Sequence, residues 1–66
     1  MKVTIFVNGQ EFSSKEDESA DISAKDLAEQ IYQMIDSANK FKLETDKGFI
    51  VLGETALKSC VMLISD

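Results

Sequence analysis

The side chains available for chemistry in this sequence are twelve carboxylates, seven lysines and the single thiol of Cys60. Histidine, arginine, tryptophan and proline are absent. General acid–base work would fall to carboxylates or lysine, which need burial or a charged neighbour to bring their pKa toward neutrality. Most of the acids lie instead in one acidic segment or along the polar side of a helical stretch, where solvation is their expected state. Cys60 opens the run Cys60-Val61-Met62-Leu63-Ile64, and no histidine exists to activate it as a nucleophile. A lone thiol in such a run reads as a small buried hydrophobe. No pair of groups is visibly arranged for catalysis, and the chain reads as a non-enzyme.

A metal site is the other chemistry that clustered acids suggest. Glu16-Asp17-Glu18 has neither the alternate-residue spacing of an EF-hand loop nor its glycine, so it reads as a solvated charge run. One cysteine and no histidine do not make up a zinc site either. Gly9, Gly48 and Gly53 are isolated, each with a turn to explain it, so there is no phosphate-cradling loop. The expectation is no metal and no cofactor.

The formal charge of -5 argues against free nucleic acid as a ligand, since phosphate binding needs concentrated positive charge and base reading leans on arginine. An anionic membrane is disfavoured for the same reason. No apolar run approaches the ~20 residues of a membrane span, and none looks like a signal peptide. One cysteine cannot form an internal disulfide, and the economical expectation is a reduced, cytoplasmic protein.

The elements that must position these groups follow from the apolar pattern. Sixty-six residues make one domain, which buries only about 60% of the surface exposed by the unfolded chain. Lys2-Val3-Thr4-Ile5-Phe6-Val7 alternates like a strand, and Asn8-Gly9 is the strongest short-range signal for a type I′ hairpin. A two-residue turn sets Val7 against Gln10 and Ile5 against Phe12, giving a hairpin over 2–14. An acidic, mobile loop is expected over 13–21. Asp21 or Ser23 can cap a following helix over 24–38, where Leu27, Ile31, Met34, Ile35 and Ala38 recur at helical intervals. Asn39 is its expected left-handed stop. Strands follow at about 40–46 and 48–53, joined through a three-residue turn, Asp46-Lys47-Gly48.

The last stretch is ambiguous, because Leu57, Val61 and Ile64 suit a helix while Cys60 to Ile64 has strand length. A bend or single helical turn at 53–56 and then a strand over 58–65 is the expectation. The fold class is α+β: one small domain with a mostly antiparallel sheet of about five strands packed on one amphipathic helix, in the order ββαβββ.

One helix covers one face of a sheet. Val3, Ile5, Val7, Phe12, Leu43 and Val51 are expected to face Leu27, Ile31 and Ile35. Phe6, Ile50 and Leu52 are left on the other face, with either Cys60, Met62 and Ile64 or Val61 and Leu63. The residues expected to face a partner are therefore Phe6, Ile50, Leu52 and Met62, with Tyr32 on the helix. Tyr32 lies off the main apolar line and reads first as a boundary residue and second as an anchor for a partner.

The helix, Phe41-Lys42-Leu43-Glu44 and Leu57-Lys58-Ser59-Cys60-Val61-Met62-Leu63 together resemble the middle of the HPr phosphocarrier proteins, over about residues 24 to 63. That family carries its phosphoryl group on a histidine before the helix, which this chain lacks, and the family's final strand and helix would be missing. The resemblance thus implies a histidine-less remnant without the carrier site. The layout is also similar to small proteins of low-GC Gram-positive bacteria and their phages, which transfers no site.

Two readings of function follow. In the first, the chain is a small acidic module that binds another protein: an adaptor, an inhibitor, or a phage-type modulator of host machinery whose acidic face mimics nucleic acid. In the second it is a structural subunit that self-associates, as a symmetric dimer through the second face of the sheet.

Overall fold

The computed structural model describes residues 1–16 and 21–66 of the chain. The chain folds as an α+β domain with five strands and two helices. Strand β1 (Lys2–Val7) and β2 (Gln10–Ser13) form the first hairpin. Asn8 at φ 51° and Gly9 at φ 77° supply the two positive angles that a type I′ turn requires. The ladder pairs Val7 with Gln10 and Ile5 with Phe12, the register that the alternation demands. Val3, Ile5 and Val7 are buried, while Phe6 faces outward.

Helix α1 (Ala24–Met34) starts at Ser23, whose Oγ accepts the Asp26 N–H at 3.2 Å. A second donor of the first turn, the Ala24 N–H, is taken by Asp66 Oδ1 at 3.0 Å. The helix stops four residues short of the expected 24–38. Beyond Met34 the bonds tighten to i→i+3, with Ser37 N–H and Ser37 Oγ both donating to the Met34 carbonyl and Ala38 N–H donating to that of Ile35. Ser37 thus offers the backbone a local alternative to the helix. Asn39 is not left-handed; Asn8 is the one non-glycine residue with positive φ among those described.

Strands β3 (Lys40–Thr45) and β4 (Gly48–Gly53) form the second hairpin. Its turn is one residue shorter than expected: Thr45 pairs with Gly48, leaving Asp46-Lys47 as a two-residue loop, with Gly48 at φ 138° inside the ladder. A one-residue change of register moves every side chain of a strand to the opposite face. Leu43 therefore stands opposite Ile50 and Phe41 opposite Leu52, so Ile50 and Leu52 turn inward and Val51 turns outward.

The stretch expected as a bend is a second helix, α2 (Glu54–Ser59), and β5 is Val61–Ser65 rather than 58–65. Glu54 and Lys58 complement the ends of the helix dipole and meet at 3.1 Å, one turn apart. Ser59 Oγ returns to the carbonyls of Thr55 and Ala56, and the backbone is extended at Cys60. Leu57 is the buried residue of α2, 2% exposed. The single apolar position at 57 anchors the helix, and the alternation from Val61 onward belongs to the strand.

The strands form two sheets instead of one, a three-stranded sheet in the order β2-β1-β5 and the two-stranded sheet β3-β4. Both edges of β1 are occupied, by β2 and by β5, so the second hairpin cannot join there. It folds over the inner face, and Leu52 and Leu57 meet Val3, Ile5 and Val7 in one buried cluster. Leu27 of α1 and Ile35 at its C-cap pack on that cluster beside Met62 and Ile64 of β5. The start of the acidic segment joins the frame. Ser14 exchanges two hydrogen bonds with Val3, and the Lys15 N–H reaches the Glu44 carbonyl at 3.3 Å. The mobile loop expected over 13–21 thus does not begin before Glu16; of the rest, residues 17–20 lie outside the described residues.

Candidate functional site

The five residues expected to face a partner do not share a surface. Phe6, 39% exposed, lies on the outer face of the three-stranded sheet. Tyr32, 76% exposed, stands on α1. Leu52 is buried, and Ile50 and Met62 are half-buried against the core. The short turn at Asp46-Lys47 removes Ile50 and Leu52, and the pairing of Ile5 with Met62 turns Met62 to the inner face with Ile5.

The same ladder settles which alternating set of β5 points outward. Phe6 is opposite Val61, and Thr4 is opposite Leu63, with Val61 and Leu63 63% and 56% exposed. Across β1 on the other side, Glu11 stands opposite Phe6 and Ser13 opposite Thr4. The outer face of this sheet therefore has an apolar patch of Phe6, Val61 and Leu63 with hydroxyls beside it. The final strand is apolar at both alternating sets, so only its pairing partner could decide between them.

A second exposed set lies on β4, where Phe49 and Val51 face solvent and the Lys42 ammonium sits 5.5 Å from the Phe49 ring centroid. The lysine stem covers part of this apolar surface and its charge meets the ring face. Thus Phe49 already has a partner within the chain.

On α1 the outward stripe is Lys25, Glu29 and Tyr32, at i, i+4 and i+7 and all exposed, while Asp36, also exposed, lies in the turn beyond the helix end. Residues three and four apart are neighbours on a helix surface, so Glu29 lies beside the phenol. Glu29 is held by Gln33 Nε2, which donates to it at 3.1 Å. The last turn of α1 has no basic residue of its own.

Cys60 borders an open groove of about 380 Å³ between α1, α2 and β5, lined also by Ile31, Ile35, Asp36, Leu57, Lys58 and Met62. The thiol is half-buried and donates to the Leu57 carbonyl at 3.2 Å. The nearby Lys58 ammonium is engaged by Glu54. Of the acidic run Glu16-Asp17-Glu18, only Glu16 is described, and among the described residues no three of His, Cys, Asp or Glu come together as metal ligands. Nor is any described helix long and apolar enough to cross a membrane.

No family model matches the chain, and no curated protein or solved structure matches it either.

Proposed function

We propose that this protein is a small acidic protein-binding module that docks a basic partner through the outer stripe of α1, with Tyr32 as the anchor. The observation that carries this reading is the exposure of Tyr32, 76%, on the open face of α1 one turn from Glu29. Tyrosine at a contact supplies a large amphipathic surface with few rotamers to freeze, and it is enriched among residues that dominate binding energy. Leaving it on an open helix face gives the fold nothing. The net charge of -5 and the neighbouring Glu29 steer a basic surface toward it. A single cysteine, with no second one to pair with in the chain, fits a cytoplasmic setting for this role.

The experiment is affinity capture of the tagged protein from its own cells at low and at high salt, with the Tyr32→Ala and Glu29→Gln/Asp36→Asn variants beside the parent. A partner held at low salt, released at high salt and lost with Tyr32→Ala supports the reading. A partner retained equally by all three proteins, or none with any, overturns it.

A structural subunit that self-associates is the second reading. It is favoured by a different observation, the uncovered apolar face of the three-stranded sheet.

A further inference from the structure

We infer that the outer face of the β2-β1-β5 sheet closes on a second copy of this chain, forming a two-fold dimer with Thr4 and Leu63 on its axis. The inner face of this sheet is occupied by α1 and by the second hairpin; none of the described elements covers the outer one. The Cα frame measures 31 × 28 × 16 Å, a slab with one open side.

The charge on this face identifies the partner. Its outward positions are Lys2, Thr4 and Phe6 on β1, Glu11 and Ser13 on β2, and Val61, Leu63 and Ser65 on β5. One lysine and one glutamate leave the face neutral on a molecule of charge -5. A basic protein would find no acidic excess here, and an anionic lipid surface would find no lysine cluster. A copy of the same face meets it without repulsion.

The ladder also fixes how two copies fit. A two-fold axis lying in the contact plane, running across the strands at the level of the Thr4–Leu63 pair, sets Leu63 against Leu63 of the second copy. Lys2 and Phe6 lie one two-residue step to either side of that level on β1, so each Lys2 comes over Phe6 of the other copy. Glu11 is the neighbour of Phe6 across the ladder, about 5 Å away, within reach of the same ammonium. The contact thus has Thr4 and Leu63 on its axis and, a step to either side, a lysine paired with carboxylate and ring, identical on both sides as an isologous interface must be. Because α1 packs on the inner face, the dimer carries two Tyr32 stripes, both outside the contact.

Sedimentation equilibrium near neutral pH, from low to high micromolar concentration, tests this. The parent should sediment at twice the chain mass. Leu63→Glu should be folded by far-UV circular dichroism yet monomeric, its association weakened about 30-fold or more, because the dimer would bury an unpaired charge. Lys2→Glu should weaken the dimer, and adding Glu11→Lys should restore it. A parent that stays monomeric at high micromolar concentration overturns the inference, as does a Leu63→Glu protein that dimerises like the parent. If Leu63→Glu fails to fold, the near-isosteric Val61→Thr decides: weaker association supports the interface, and unchanged association overturns it. A monomer that binds neutral phosphatidylcholine vesicles would assign the face to lipid and also overturn it.

Discussion

Leu43 stands directly opposite Ile50 in the β3–β4 ladder, and this pairing determines what the second hairpin gives to the core. With these two residues level, Phe41 and Leu52 are level as well, and all four pack inward on the cluster around Ile5 and Leu57. Phe49 and Val51 are then exposed, 64% and 69%. A turn one residue longer would bury Val51 and expose Leu52, exchanging a buried leucine for a smaller valine.

The turn depends on Gly48 at φ 138°, an angle that L side chains rarely adopt. A Cβ built there meets nothing within 4 Å, so any substitution cost comes from the backbone alone. Gly48→Ala should lower stability by about 1–3 kcal/mol. Gly48→Asn should be no better, because asparagine tolerates the left-handed region near φ +57° and not this one. Urea unfolding of the parent and both variants checks this, and a clear advantage of asparagine over alanine would show that the turn is left-handed in solution.

What could be read from the sequence was local. Asn8-Gly9 and the alternation of Val3, Ile5 and Val7 state the first hairpin completely, because turn type and hydrophobic face demand the same register. Ser23 and Asp26 likewise mark the start of α1 three residues apart. The second turn was not legible, since Asp46-Lys47-Gly48 suits a two-residue or a three-residue loop and both faces of β4 are apolar. Equally hidden was the orientation of β5, whose alternating sets are both apolar until β1 selects one. Tyr32 was visible as lying off the apolar line, but its full exposure depends on how α1 is seated.

Asp66 is another case of information at long range. Its carboxylate caps α1 from 42 positions away, taking the Ala24 N–H while Ser23 takes that of Asp26. Each cap satisfies a backbone donor that the first turn leaves without a helical partner. Ser23→Ala and Asp66→Ala should each cost about 1 kcal/mol. Asp66→Asn, whose side-chain oxygen still accepts, should cost less than Asp66→Ala. If Asp66→Ala matches the parent in thermal unfolding, the contact between the chain end and α1 does not persist in solution.

Leu57 and Lys58 are adjacent on α2 and should behave oppositely. Leu57, 2% exposed, joins α2 to the cluster of Val3, Ile5, Val7 and Leu52. Leu57→Ala should cost about 2–5 kcal/mol, a large share of the stability of so small a domain. Lys58→Ala removes an exposed ion pair with Glu54 and should change stability by less than about 0.5 kcal/mol. Comparable losses in chemical unfolding would mean that α2 is held by its charges.

Ser14 and Lys15 give the last prediction, because they tie the start of the acidic segment to both hairpins. Ser14 Oγ accepts the Val3 N–H at 2.9 Å, and the Ser14 N–H donates to the Val3 carbonyl at 2.8 Å. These two bonds extend the first ladder past Ser13. The Lys15 N–H then reaches the Glu44 carbonyl, while the Lys15 and Glu44 side chains pair at 3.7 Å, both more than half exposed. The backbone bonds should therefore matter and the exposed ion pair should not. Native-state hydrogen exchange should show the Val3 and Ser14 amides protected together with β1. Ser14→Ala should lower stability by about 1 kcal/mol and speed exchange at Val3; Lys15→Ala should leave both unchanged. Shortening the chain between Glu16 and Asp21 should cost little, since loop closure varies slowly with length, whereas a deletion that includes Ser14 should open the edge of the sheet. Exchange at Ser14 as fast as in an unfolded peptide would place the end of the ladder at Ser13 and remove the link from the first hairpin to β3.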